Sequence, residues 1–508
     1  MPYTVPDLLL ESAARCPDAP AVIDGDAVIS YHCLAELAHL YAGALTEPLA
    51  PGERVALLLP RSIPTLATYF GAHLAGLVPV IVHERLRPRQ IARILTHAQA
   101  GLVVTTARLR HLLRDCPLPD EQILQADDLT GKPLAHPVRT IGADLAALAY
   151  TSGSTGGAKA VMLSHRNLVF GALVVADYLH LDAADRTLAL LPWSFDYGLN
   201  QVLATFVAGG TVVIQRSAFP PDICRTLTAA GVTGIAGVPT LWSDLAGPRS
   251  PFLRQHYPQL RYLTNSGGAL PPLITQALRS AHPQVAMYAM YGLTEAFRST
   301  YLDPVRIDAK PASVGQAIPD SEILILDEHD APCPVGVVGE IVHRGPTVAL
   351  GYWRDPQASA AVFRPHPHLP APRQETVVYS GDLGYYDADG DLHITGRRDE
   401  MVKIRGHRVT PAEIEAEIMA CRMVGTVVAV ISPATDGNDP RVLVAIQPHG
   451  PDFSLQTVKE FCRTELPAHL RPETITVFEE MPRTPHGKVD RQQLHHQLAP
   501  SAHTGPWR

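Results

Sequence analysis

Between residues 54 and 290, short apolar runs alternate with longer stretches in which apolar positions return every three or four residues. The runs at 55–59, 79–82, 102–105, 188–191, 211–214, 234–238, 261–264 and 285–289 read as strands. The stretches 63–75, 89–98 and 271–280 read as helices. Alternation of this kind predicts parallel sheets covered by helices, because each crossover lies back over the sheet it serves. After about residue 315 the pattern changes to short strands with Gly, Asp and Pro turns, such as 339–343 and 392–394, which predicts a small β subdomain. Beyond residue 399 a separate unit is expected, with helices at 412–421 and 454–465 and strands at 425–431, 442–447 and 474–478. The predicted class is α/β. A large N-terminal domain, 1–398, holds helix-covered sheets plus the small β subdomain, and an α+β C-terminal domain spans 399–508.

Composition narrows the class of protein. A chain of 508 residues with 46% apolar and 18% charged residues has ample material for the cores of a soluble enzyme. A net charge of -8 without a long basic run argues against a nucleic-acid partner. No apolar stretch reaches the length of a membrane span, and the opening residues show no basic region followed by an apolar core. A cytoplasmic location is the expectation. The cysteines are scattered without a Cys-x-x-Cys pair, against both a disulfide framework and a structural zinc site. Prolines are spread as loop punctuation, and 365–372 is expected to be a surface loop.

Candidate chemistry begins at 150–159, where glycines, hydroxyl residues and Lys159 sit between apolar runs at 145–149 and 160–163. A strand–loop–strand of this composition can wrap a polyphosphate through close backbone approach, amide and hydroxyl donors, and a lysine charge. It is not a Walker loop. Counting from Gly153, the sixth position is Ala158, and Ala160 follows the lysine. No Gly-x-Gly-x-x-Gly follows a strand either, which removes the main support for a dinucleotide fold.

Four later segments carry the same kind of chemistry. In 290–295 a glycine, Thr294 and Glu295 could turn the chain, reach a phosphate and hold Mg²⁺, and a helix-capping Thr/Glu pair is the plain alternative. Asp382 in Ser380-Gly381-Asp382 can accept from both ribose hydroxyls, whereas Asp387 and Asp389 read as turn residues in a poor Ca²⁺ loop. Residues 396–409 form a basic, polar crossing between two units, where hinges occur. Lys488 lies on a Pro/Gly loop near the C-terminus.

In this order and over nearly the whole chain, the segments resemble those of the AMP-forming acyl- and aminoacyl-adenylating enzymes: acyl-CoA synthetases, adenylation domains and luciferases. The family usually has Pro-Lys-Gly where this chain has Ala158-Lys159-Ala160. The resemblance implies that Thr151, Ser152, Gly153, Ser154, Thr155, Gly156 and Lys159 hold the phosphates of ATP. It implies that Tyr291, with Gly292 beside it, stacks on adenine, that Thr294 meets the α-phosphate and that Glu295 holds the metal. Asp382 and Arg397 would bind the ribose, and Asp399 would be the pivot of a mobile C-terminal domain. Gly406 would lie where pantetheine passes, and Lys488 would bridge the substrate carboxylate and the α-phosphate. The implied cofactors are ATP and Mg²⁺, with CoA or phosphopantetheine as thiol acceptor.

The acid pocket carried over from the family comprises Phe195, Asp196, Tyr197, Asn200, Gly237, Thr264, Ser266, Gly267, Met290, Arg298 and Ser299. Phe195-Asp196 resembles amino-acid adenylation domains, where the Asp holds an α-ammonium, while 197–200 resembles the acyl-CoA ligases. Segments 195–201 and 292–299 together are similar to the acyl-CoA ligases associated with bacterial exosortase and exopolysaccharide gene sets. A buried Asp and Arg in one pocket must either pair with each other or grip opposite charges on a polar substrate. The expected partners are therefore a small carboxylic acid or amino acid, and CoA or a separate carrier protein, since no Leu-Gly-Gly-x-Ser segment is present. An amide-forming or purely adenylating relative is the second reading. An inactive or oxidative relative is the third, and the complete set Lys159, Thr294, Glu295, Asp382, Arg397 and Lys488 argues against it.

Overall fold

The computed structural model describes residues 2–152, 158–370, 372–404, 407–432, 440–450 and 453–498. Strands Val78–Ile81, Arg54–Leu57, Ala100–Thr105 and Ile123–Gln125 pair in that order, all parallel. Helices Ile63–Leu74 and Pro88–Ala98 make the crossovers, and the Ser62 hydroxyl starts the first by accepting from the Thr65 amide at 3.4 Å. The apolar runs are continuous because both faces are buried. Val55 and Leu57 enter one core, and Ala56 and Leu58 enter the core on the opposite face.

The second, 14-stranded sheet has a parallel half built from Pro20–Asp24, Thr211–Ile214, Arg186–Ala189, Gly234–Gly237, Tyr262–Asn265 and the first half of Ala286–Leu293. The predicted strand at 285–289 runs on to Leu293. Ala289 still pairs in parallel with Asn265, and from Met290 onward the same strand pairs antiparallel with Ala296–Tyr301. The antiparallel strands after residue 315 then continue the same ladder. What the sequence pattern suggests as a small β subdomain is thus joined edge to edge to the parallel sheet. An unpredicted hairpin, Pro20–Asp24 with Ala27–Ser30, closes the other edge. The proline-rich loop at 365–372 is only partly at the surface, since His366 is buried.

The smaller C-terminal domain has its own sheet. Val424–Ser432 and Arg441–Pro448 are antiparallel, and Thr474–Val477 adds in parallel beside Arg441–Pro448. Helices Pro411–Met419 and Leu455–Thr464 cover it through Ile414, Ile418, Val458 and Cys462. Among the described residues, no helix is long and apolar enough to cross a membrane.

Candidate active site

The predicted strand–loop–strand is an antiparallel hairpin of Leu145–Ser152 and Ala158–Ser164, and Lys159 lies on the second strand opposite Thr151 instead of in the loop, because the ladder runs beyond both apolar runs. Ala160, where the family has glycine, is buried opposite Tyr150 in the ladder, so its methyl group is accommodated. Gly153, Ser154, Thr155 and Gly156 lie outside the described residues, as does the side chain of Ser152. The hairpin gains a third row from residues 350–353, since the Met162 amide donates to the Gly351 carbonyl and the Trp353 amide to the Ala160 carbonyl. Just upstream, the Phe297 amide donates to the Thr347 carbonyl and the Ala349 amide to the Glu295 carbonyl. One segment therefore ties the lysine hairpin to the Thr294-Glu295 tip.

That tip is a two-residue β-turn between Leu293 and Ala296, not a helix cap. Tyr352 Oη donates to Glu295 Oε1 at 2.6 Å, and Lys159 Nζ lies 5.2 Å from the centre of the Tyr352 ring. Nothing in the sequence analysis singled out Tyr352. The signal available was an aromatic pair, Tyr352-Trp353, directly after a glycine in a turn-rich stretch. A half-buried carboxylate aimed from a tight turn suits Mg²⁺, which takes one or two carboxylates and completes its shell with phosphate oxygens and water. The acidic cluster Asp387, Asp389 and Asp391 does not, because Lys310 Nζ sits 2.7, 2.5 and 2.7 Å from its carboxylates. The predicted turn role of Asp387 holds: it accepts from the amides of Asp389 and Asp391.

Asp382 and Arg397 are cross-strand partners on Thr376–Tyr386 and Leu392–Arg397. Both Asp382 oxygens are engaged, Oδ2 by the Tyr291 hydroxyl at 2.5 Å and Oδ1 by Arg397 Nη1 at 2.9 Å. Burial pushes the Asp382 carboxyl above its usual range, against the pull of Tyr291 and Arg397. Burial and the Asp382 charge together hold the Tyr291 phenol well above its ordinary value. Arg397 also donates through Nε to Asp399 Oδ1 at 2.8 Å, so one guanidinium links Asp382 to the predicted pivot. Gly406 lies outside the described residues.

Lys488 reaches this cleft from the C-terminal domain. Its loop docks through the Arg483 guanidinium, which donates to both oxygens of Asp244 at 2.6 and 2.7 Å, and through the Thr240 hydroxyl, which donates to the Gly487 carbonyl at 2.5 Å. His486 stacks on Phe195 with ring centres 5.7 Å apart, and Lys488 Nζ lies 5.0 Å from the same ring. Burial lowers the Lys488 pKa, and the charges of Asp196 and Asp382 oppose that shift. Burial, with His83 and Lys488 nearby, holds His486 down to about 4. Gly267 explains how the lysine passes. Its φ is +80°, and a Cβ there would stand 2.9 Å from Lys488 Cε. Arg483 and Asp244 escaped the sequence reading because 239 residues separate them and neither sits in a motif.

The remaining predicted pocket residues converge beside this lysine. Helix Asp196–Ala208 begins at Asp196, whose Oδ1 accepts from the Tyr197 amide at 2.6 Å. Tyr197 Oη and Thr264 Oγ1 share a hydrogen bond at 2.5 Å, the Ser266 amide donates to the Gly237 carbonyl, and Tyr178 Oη donates to Met290 Sδ at 2.9 Å. Ser299 is buried, and its hydroxyl donates to the Ala296 carbonyl at 3.2 Å. Arg298 is 5% exposed. It does not pair with Asp196: its Nε donates to Asn200 Oδ1 at 3.4 Å, and its guanidinium lies 5.0 Å from the Tyr197 ring centre.

The AMP-binding enzyme family model matches residues 9–353, and the AMP-binding enzyme C-terminal domain matches 413–488. The chain is 31% identical over 501 residues to a linear gramicidin synthase of Brevibacillus parabrevis, covering 95% of this chain and 6% of that protein. It is 28% identical over 519 residues to 4-coumarate–CoA ligase of Pinus taeda, covering 96% and 94%. Several of the curated relatives it matches are far longer. The chain spans 14% of tyrocidine synthase 2 and 8% of tyrocidine synthase 3. Among solved structures, ATP-bound MatB from Rhodopseudomonas palustris superposes with a TM-score of 0.86 at 26% identity, covering 98% of this chain and 99% of that one. Anthranilate CoA ligase AuaEII in complex with anthranoyl-AMP gives 0.89 at 23% identity, covering 98% of each chain. With the hairpin lysine, the Thr294-Glu295 tip, the Asp382–Arg397 pair and Lys488 drawn to one cleft, this chain belongs to the AMP-binding enzyme family.

Proposed function

We propose that the chain activates a small carboxylic acid with ATP as an acyl-adenylate, releases pyrophosphate, and passes the acyl group to the thiol of CoA or of a phosphopantetheinyl carrier protein. The docked Lys488 carries this reading, because its ammonium enters the cleft that also holds Asp196 and Asp382. A substrate carboxylate oxygen attacks the α-phosphorus. The bond to the bridging oxygen breaks, and pyrophosphate leaves with the electron pair. The chain supplies no nucleophile and no general base for this step, so the rate comes from positioning and charge neutralisation. Tyr291, Asp382 and Arg397 orient the nucleoside, and Lys159 and Thr294 hold phosphate oxygens. Lys488 bridges the attacking carboxylate and the α-phosphate, where negative charge accumulates. Glu295 would hold Mg²⁺, which when bound would supply charge neutralisation for the phosphates.

The acceptor thiol then attacks the acyl carbon, and AMP leaves. Residues 399–508 turn about Asp399 for this second step, withdrawing Lys488 and bringing Gly406 to the thiol path. The Arg397–Asp399 ion pair supports that hinge, since it connects the nucleoside end of the cleft to the crossing. Names of relatives support the thioester outcome, with CoA ligases and peptide synthases both among them.

A substrate bearing an α-amino group is favoured by Asp196. It starts its helix directly after Phe195, whose ring lies 5.0 Å from Lys488 Nζ, so an ammonium next to the reacting carboxylate would have a carboxylate at hand. Substrate-dependent exchange of labelled pyrophosphate into ATP, run across amino acids and plain acids, tests both points. Exchange with at least one acid is expected. Exchange with plain acids and with no amino acid would remove the amine-binding role of Asp196.

A further inference from the structure

Strand Ala296–Tyr301 pairs with Ala286–Leu293 through Tyr291–Thr300 and Leu293–Ala296, so three residues, 297–299, face Gly292 alone. The bulge turns Arg298 inward at a φ of +78°. It also brings the Arg298 backbone within 3.1 Å of where a Cβ on Gly292 would stand. A non-glycine residue in this region is strained, and such strain collects at functional sites.

The side chain that the bulge delivers has donors without acceptors. Arg298 Nη2 is buried and unpartnered, and so is Nδ2 of its neighbour Asn200, a fully buried residue. The guanidinium lies between Tyr197 and Phe297, 5.0 and 4.9 Å from their ring centres. Among the described residues no carboxylate forms an ion pair with it. An uncompensated buried cation is costly, and aromatic faces offset only part of that cost.

Arg298 and Lys488 each stand against one ring of an aromatic pair. Lys488 Nζ is 5.0 Å from the Phe195 ring, the Phe195 and Tyr197 rings are 6.0 Å apart, and Arg298 is 5.0 Å from the Tyr197 ring. Two cations therefore stand against one pair of neighbouring aromatic rings, Lys488 at Phe195 and Arg298 at Tyr197. Lys488 meets the carboxylate that is activated.

We infer that the acid carries a second carboxylate, which the unpartnered donors of Arg298 and Asn200 receive beside Tyr197, while Lys488 beside Phe195 meets the first. A planar carboxylate matches that pair, because one oxygen accepts from Arg298 Nη2 and the other from Asn200 Nδ2. The substrate class is a dicarboxylic acid or an acidic amino acid, and Asp196 decides between the two. This inference rests on the adenylation reading above.

Pyrophosphate exchange tests it with malonate, succinate, glutarate, L-aspartate and L-glutamate. Each is set against the neutral acid of matched length: propionate, butyrate, valerate, L-asparagine and L-glutamine. At least one diacid should exceed its neutral partner in kcat/KM by tenfold or more. Arg298→Met should shrink that ratio to within about threefold, chiefly by raising KM for the diacid, and Arg298→Lys should restore part of it. Neutral acids exchanging as well as or better than every diacid would overturn the second-carboxylate subsite and leave adenylation standing. Equal loss for both acid classes in a folded Arg298→Met variant would do the same, and the wild-type panel decides if that variant does not fold. No exchange with any acid would sink the adenylation reading, and this inference with it.

Discussion

The Arg483–Asp244 pair should control how often Lys488 is in the cleft, and Arg483→Ala measures it. The two charge-assisted bonds, 2.6 and 2.7 Å long, join the C-terminal loop to helix Pro239–Ala246. The side chains are 25% and 30% exposed, so solvent screens them only partly. Hydrogen bonds to charged groups contribute about 1.5–3 kcal/mol, and partial exposure brings this pair to roughly 1–2 kcal/mol. At about 1.4 kcal/mol per factor of ten, docking weakens roughly 5- to 30-fold. The Thr240–Gly487 hydrogen bond and the His486–Phe195 stack remain, so activity persists at a reduced level. Pyrophosphate exchange should fall by that factor, while transfer from supplied acyl-adenylate to a thiol holds its rate or rises. Asp244→Ala should match it, and the double variant should be little worse than either single one. Unchanged exchange, or equal loss of both half-reactions, would refute the docking role.

Four other outcomes can be checked. Lys488→Ala should lower pyrophosphate exchange about 10²–10³-fold, the scale for one aimed donor, while transfer from supplied adenylate is spared. Gly267→Val should depress exchange similarly, because its branched side chain would occupy the Lys488 path, and thermal unfolding should separate this from loss of the fold. His486 is neutral when docked, with its pKa held to about 4, and ordinary when free, so the undocked form binds more protons between pH 6.5 and 4. Exchange should therefore decline as pH falls through that window. His486→Phe, which keeps an aromatic stack, should flatten part of the decline, and His83, also lowered by burial, should account for another part. Gly292→Ala should lower exchange and stability together, since the added methyl meets the Arg298 backbone at 3.1 Å.

Much of the cleft was legible because its chemistry is local. Lys159 borders an apolar run that does form a strand, which extends to include it, and Asp382 and Arg397 lie in short segments that become paired neighbours. The Thr294-Glu295 pair was legible as a motif but not as a shape. A Thr/Glu pair after a strand also suits a helix start, and only the antiparallel partner Ala296–Tyr301 decides for a hairpin. The β region was read as a subdomain within 1–398 because the pattern becomes short and turn-rich at about residue 315. Edge-to-edge continuity depends on one strand, Ala286–Leu293, taking a parallel partner on one side and an antiparallel one on the other.

Hydrophobic period, glycine placement and the order of the polar segments specify an α/β chain with a glycine-rich loop, a carboxylate–guanidinium pair and Lys488 on a later loop, because these are properties of neighbouring residues. Where Lys488 docks, that Arg298 shares its aromatic surroundings, and that Arg298 lacks a carboxylate partner among the described residues are decided only in three dimensions. Arg483 and Asp244 lie 239 positions apart, and Arg298 is turned inward by a bulge opposite Gly292. Burial and ion pairing depend on which distant groups the folded chain brings together.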